Sequence, residues 1–163
     1  MIISTPPVFR AKPALSPKPS IFLAGSIEMG KAEHWQNSLI KKIERNFSIC
    51  FNPRRADFDP AWKQGIEEEQ FNIQVTWELD MIERADVVAF YFQPGTMSPI
   101  TLMELGLVCA MKPKAAFVCC PEGFHRKGNV DIMCERYGIR TYESFDKLVD
   151  ALASPGVMHG NFG

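Results

Sequence analysis

The sequence predicts an α/β domain of three layers, doubly wound, with a five-stranded parallel sheet and helices on both faces. Three observations predict it. Apolar runs short enough for strands alternate five times with longer helical patterns between residues 20 and 153. The runs are continuous rather than alternating, as in strands buried on both faces of a parallel sheet. The 163 residues, 46% of them hydrophobic, suffice for one substantial core and contain no internal repeat or linker, so a single domain is expected.

Residues 1–19 hold Pro6, Pro7, Pro13, Pro17 and Pro19 and read as an extended arm rather than an element. SIFLAG follows as a buried strand closed by glycine, and KAEHWQNSLIKKIER then sets Trp35, Leu39, Ile40 and Ile43 at helical spacing. SICFNP is the second strand, followed by the loop RRADFDPAWKQG. EEEQFNIQVTWELDMIERA is a long amphipathic helix, with Phe71, Val75, Leu79 and Ile82 expected on its inward stripe. DVVAFYF is the third strand, and PITLMELGLVCAM a helix with Pro99 in its first turn. AAFVCC, NVDIMCERYG, IRTY and ESFDKLVDALA complete the alternation, Ser144 or Glu143 capping the last helix. Residues 154–163 are left as a tail.

Composition narrows the partners. The net charge is -1 and no run of Lys and Arg exceeds two residues, so the electrostatic footprint of a nucleic-acid binder is missing. No stretch is apolar enough for a membrane span, and the first residues lack the apolar core of a secretory signal. Five cysteines without a CxxC pair fit a reducing cytoplasm, with Cys119 and Cys120 read as core residues. His34, His125 and His159 lack ligand spacing, so no metal is expected, and no cofactor either.

Ligands of open α/β sheets bind beyond the carboxyl ends of the strands, where the strand order reverses. The loops expected there are 24–30, 52–62, 93–101 and 120–129. One charge stands out beside them: Glu104 in SPITLMELGLVCAM, with no other Asp, Glu, His, Lys or Arg from Val87 to Met111. Either it turns to solvent, or it is a buried acid with a partner elsewhere or a task. Glu78, between Trp77 and Leu79 on the preceding helix, has the same two readings. Together the two carboxyls supply the parts for cleaving a glycosidic bond, a nucleophile and an acid for the leaving group. Asp86 opens the third strand at the opposite edge and reads as structural. In the first loop, Gly25 and Ser26 either bring backbone amides to a ligand or make a plain turn. In the second, Asn52 precedes Arg54 and Arg55, which serve a phosphate or an ion pair. Asp57, Phe58 and Trp62 either hold a base or pack the loop.

Together AGS, FNPRR, WEL before ADVVAFYF, SPITLMELG and the GN of the last loop resemble the nucleoside 2-deoxyribosyltransferase family over roughly residues 20–140. The resemblance, with the alternation, implies a flavodoxin-like domain. It implies Glu104 as the nucleophile, since the family carries its catalytic glutamate in an ELG motif. Glu78 matches the family's acid, an aspartate there. Asn129 matches an asparagine that the family lends from a neighbouring subunit, so a homo-oligomer with shared sites is implied; as a local feature it is also a helix cap. Phe22 stands where members place a tyrosine whose hydroxyl meets the catalytic carboxylate. Ser98 stands where transferases acting on free nucleosides use an aspartate; the related 2'-deoxynucleoside 5'-monophosphate N-hydrolases have serine there, which tolerates a phosphate. The expected activity is exchange of purine and pyrimidine bases on 2'-deoxynucleosides through a deoxyribosyl-glutamate, in nucleotide salvage. Two alternatives stay open, hydrolysis of deoxynucleosides or their 5'-monophosphates, and a sensor that binds a nucleotide without turnover.

Overall fold

The structure, a computed structural model, describes residues 1–27, 33–111 and 114–154. The tail expected at 154–163 and the loop at 24–30 therefore fall partly outside the described residues. Eleven elements are described: β1 (Ile2–Ser4), β2 (Ser20–Gly25), α1 (Trp35–Ile43), β3 (Ile49–Phe51), α2 (Glu69–Arg84), β4 (Val87–Tyr91), α3 (Pro99–Ala110), β5 (Ala115–Cys119), α4 (Lys127–Tyr137), β6 (Thr141–Tyr142) and α5 (Phe145–Ala153). The strands form one parallel sheet in the order β1-β3-β2-β4-β5-β6. This is the expected three-layer α/β architecture with one strand more than the five foreseen.

The extra strand comes from the arm. Ile2, Ile3 and Ser4 pair with Ile49, Cys50 and Phe51, and the Ile2 N–H donates to the Ser48 carbonyl at 2.9 Å. The prolines start only at Pro6, so these three residues keep the amides an edge strand needs. Three residues are too short a run to show a period. Beyond them the arm lies along α2: Trp77 Nε1 donates to the Val8 carbonyl at 3.2 Å, and the Arg84 guanidinium sits 4.6 Å over the Phe9 ring.

Strand residues alternate between the two faces, as the pleat requires. Phe22, Ala24, Phe51, Val88, Phe90 and Val118 point to the face covered by α2, α3 and α4. Ile21, Leu23, Cys50, Val87, Ala89 and Cys119 point to the face of α1 and α5. The amphipathic stripe of α2 differs from the expected one. Gln74, Trp77, Met81 and Ile82 are buried, whereas Leu79 is 39% exposed and Phe71 and Val75 lie half-buried on the flank. Trp77 fixes the rotation, since its ring packs 6.3 Å from Phe22 and 6.4 Å from Phe51. One indole buries more apolar area than either flanking side chain.

Two boundaries follow from local chemistry. Ser144 caps α5, its hydroxyl accepting from the Lys147 N–H at 3.3 Å. At the amino edge, Asp86 accepts from the backbone and hydroxyl of Ser20 at 2.7 and 2.8 Å and from Lys12 at 2.9 Å, a structural clamp far from the ligand edge. The chain runs from β2 to β3 on one side and then returns to β4 on the other, so the order reverses beside β2. The crevice of a doubly wound sheet opens there, beyond Gly25 and Tyr91.

Candidate active site

Glu104 is the sixth residue of α3, and its side chain turns inward with Thr101, Leu105 and Val108. It is 7% exposed. Burial among these apolar neighbours, with a second contribution from the charge of Glu78, holds its carboxyl well above the ordinary carboxylate range. Glu78 is itself pushed up to about 7 by burial, moderated by a hydrogen bond from Gln74. The two acids therefore face one region from α2 and α3, and burial of each favours its protonated form. Acid-assisted displacement needs two such groups, one as carboxylate and one as carboxylic acid.

Gln74, one turn before Glu78, is 7% exposed. Its Nε2 donates to Glu78 Oε1 at 2.7 Å and to the Pro53 carbonyl at 3.0 Å. The acid on α2 is thus tied to the loop after β3.

A cluster of three hydroxyls closes the start of α3. Ser26 Oγ lies 2.6 Å from Ser98 Oγ and 2.8 Å from Thr96 Oγ1, and the last two are 2.9 Å apart. The Gln93 N–H donates to Ser26 Oγ at 2.9 Å, and Thr96 Oγ1 donates to the Gln93 carbonyl at 2.8 Å. Ser98 takes a left-handed conformation at φ 43°, a costly one for a residue with a side chain. The hydroxyl contacts hold it there. The Ser26 amide is already engaged with the Tyr91 carbonyl at 3.1 Å, so its hydroxyl is the group directed at this junction. At Gly25 a Cβ would meet both the Trp35 ring and the Tyr91 carbonyl at 2.6 Å, which explains the glycine.

The loop after β3 is built around its arginines. Asn52 Oδ1 accepts from the Arg54 N–H at 3.1 Å, and the Asn52 N–H donates to the Ser4 carbonyl at 2.9 Å. Arg54 Nη1 donates to the Glu33 carbonyl at 3.1 Å, and its Nη2 lies 3.2 Å from His34 Nε2. Arg55 makes a two-pronged pair with Asp57, Nε to Oδ1 at 2.6 Å and Nη2 to Oδ2 at 2.5 Å, and lies 5.0 Å from the Trp62 ring. Phe58 meets Trp62 edge-on at 5.3 Å. Of the open alternatives for Arg55, the ion pair is the one formed.

Against known families, residues 18–124 match the model described as nucleoside 2-deoxyribosyltransferase like. The chain belongs to this family. The match spans β2 through β5 and takes in Glu78, Glu104, Ser98 and the loop after β3, and membership supports deoxyribosyltransferase-like chemistry on nucleosides in general. Comparison with curated proteins gives no match.

Within this deoxyribosyltransferase-like domain the residues expected at the site divide into three groups. Glu78 and Glu104 are brought together, and Gly25, Ser26 and Ser98 meet at the adjoining junction. Asn52, Arg54, Asp57 and Trp62 share the next loop, joined to Glu78 through Gln74. Phe22 and Asn129 make no hydrogen bond to either acid among the described residues. Phe22 is fully buried beneath Trp77, and Asn129 is exposed in the first turn of α4, on a groove of about 330 Å³ with Leu102, Leu105, Arg126, Val130 and Met133. Arg126 holds the cap position of α4, so Asn129 does not cap it. The family match ends before Asn129. Sequence reasoning missed Gln74 and Thr96. Gln74 lies four residues before Glu78, a spacing that places both on one helix face. Among the described residues no His, Cys, Asp and Glu group is arranged to hold a metal, and no helix is long and apolar enough to cross a membrane.

Proposed function

We propose that the protein is a nucleoside 2-deoxyribosyltransferase that exchanges the base of 2'-deoxynucleosides through a deoxyribosyl ester on Glu104. The observation that carries this reading is the buried Glu104 carboxyl, raised further by the charge of the half-buried Glu78, in a domain of this family. In the reaction, ionised Glu104 attacks C1', the bond to the base breaks through an oxocarbenium-like transition state, and Glu78 gives its proton to the departing base. A second base then takes the sugar from Glu104 on the same face, returning a proton to Glu78. Net retention and ping-pong kinetics follow. Without a 2'-hydroxyl the positive charge at C1' forms more easily, so deoxyribosides react faster than ribosides.

Ionising Glu104 costs most when Glu78 is also charged, so the productive form carries the single proton on Glu78. The cation developing at C1' favours that form. Gly25, Ser26 and Ser98 take the sugar end, and Asn52, Arg54, Asp57 and Trp62 the base end. Asn129 serves the site of a neighbouring subunit in a homo-oligomer, and Phe22 supports the strand beneath Glu104. Residues 20–153 carry the deoxyribosyltransferase-like site, in the cytoplasm, without metal or cofactor.

A second reading, hydrolysis of deoxynucleosides or their 5'-monophosphates, is favoured by one observation. The hydroxyls of Ser26, Thr96 and Ser98 sit at the positive end of α3, where an aspartate would repel a phosphate. The test is to incubate the protein with 2'-deoxyinosine, with and without adenine or cytosine, and to separate the products by chromatography. Transfer gives the new deoxynucleoside, lost in Glu104→Ala by a factor of at least about a thousand. Free base and 2-deoxyribose alone would turn the assignment to hydrolysis, and deoxynucleoside monophosphates would then be compared with deoxynucleosides. No turnover of any of them would reject both.

A further inference from the structure

Gln74 presents a buried polar group that the proposed reaction does not use. Its Nε2 donates to two acceptors, the Pro53 carbonyl and Glu78 Oε1, while its Oε1 is buried with no hydrogen-bond partner among the described residues. The orientation of the amide is fixed by chemistry, because the Pro53 carbonyl can only accept. Turning the amide over would set two oxygens against each other. The fold thus tolerates an unsatisfied buried acceptor, a destabilising feature kept along with the two bonds that the Nε2 group makes. A residue kept for packing alone would not be a glutamine.

We infer that Gln74 is a positioning residue, which holds the Glu78 carboxyl in one orientation against the loop after β3 so that its proton is directed at the departing base. This rests on the proposed role of Glu78 as the acid. Both hydrogens of the amide are committed, one to a fixed backbone oxygen and one to the carboxyl, so the side chain acts as a rigid strut between two elements. The bond to Glu78 is stronger when the carboxyl is ionised, so it opposes the effect of burial and keeps the acid able to release its proton near neutral pH. Other charged groups around this face are Glu104 on α3 and the arginines of the loop after β3; Arg55 is engaged with Asp57, and Arg54 with the Glu33 carbonyl and His34. On α2 itself, Asp80 and Arg84 line a different depression, of about 370 Å³, beside the arm.

The test compares the full chain with Gln74→Leu and Gln74→Met. Three quantities are read: the thermal midpoint, the titration of Glu78 by carbon NMR on glutamate-labelled protein, and the pH profile of base exchange. A strut that positions the acid predicts a midpoint close to wild type, since the orphaned oxygen goes while the Pro53 carbonyl loses its donor. It predicts a Glu78 titration moved upward by about one pH unit, and exchange reduced about tenfold or more at neutral pH with its alkaline limb displaced the same way. An unchanged titration and pH profile overturns the inference. So does a large loss of the thermal midpoint in both variants, which would make Gln74 a structural brace. If wild type exchanges no base, the proposed function fails by itself, and the Glu78 titration still decides whether Gln74 sets the state of the acid.

Discussion

At Glu78 and Glu104 burial favours the protonated carboxyl, so their contribution to stability runs opposite to that of a salt-bridged acid. With Glu78 raised to about 7 in the folded chain from about 4.5 unfolded, the folded state binds more protons across that interval. Stability therefore falls as the pH rises from about 4.5 towards about 7, and the loss is complete above it. Glu78→Gln removes the titration, and the variant should gain on wild type by on the order of 2 kcal/mol between pH 5 and 8, after allowance for partial exposure. Thermal melts of both proteins at several pH values measure it; parallel curves would contradict the burial of this acid. At this scale the sequence was informative where chemistry is rare. A lone acid in an apolar helix marked Glu104 before any fold was known. Gln74 was illegible because glutamine is ordinary on helix surfaces, and its importance appears only when the buried stripe of α2 is seen to pass through it.

At the scale of elements, the tightest junction is where β2 turns into the loop before α1. Gly25 packs against both Trp35 and the Tyr91 carbonyl, and one methyl group there must displace an indole or a strand. Gly25→Ala should cost about 2–4 kcal/mol in urea unfolding without changing the slope of the transition. A loss under about 0.5 kcal/mol would mean the junction is looser than its geometry. Strand and helix alternation was legible because each run carried its own period. The edge strand β1 was not, because three residues carry no period and the pairing that makes them a strand comes from Ile49–Phe51, far along the chain. The α2 stripe was misread for a related reason. Counting apolar positions weights Phe71, Val75 and Leu79 equally, whereas the sheet offers a single deep place, and Trp77 takes it.

For the whole molecule, topology decides where chemistry is possible. The reversal of strand order beside β2 brings the starts of α1 and α3 and the loop after β3 to one edge, and α2 returns to the same face as α3. Stretches separated by up to about eighty residues are thus tied at this edge, the loop after β3 to Glu78 through Gln74, and the end of β2 to the start of α3 through the hydroxyls of Ser26, Thr96 and Ser98. The edge at which these residues gather was legible from the order of the elements, but the ties between them were not, since they join residues remote in sequence. The central claim is that Glu104 forms a covalent bond to the sugar. Its most direct test is to mix the protein with excess 2'-deoxyinosine, quench in acid within a turnover, digest, and identify the modified peptide by mass spectrometry. The account predicts one deoxyribosyl unit on the peptide containing Glu104, none in Glu104→Ala, and its disappearance when adenine is added before the quench. Turnover without an adduct, at a rate unchanged in Glu104→Ala, would contradict it.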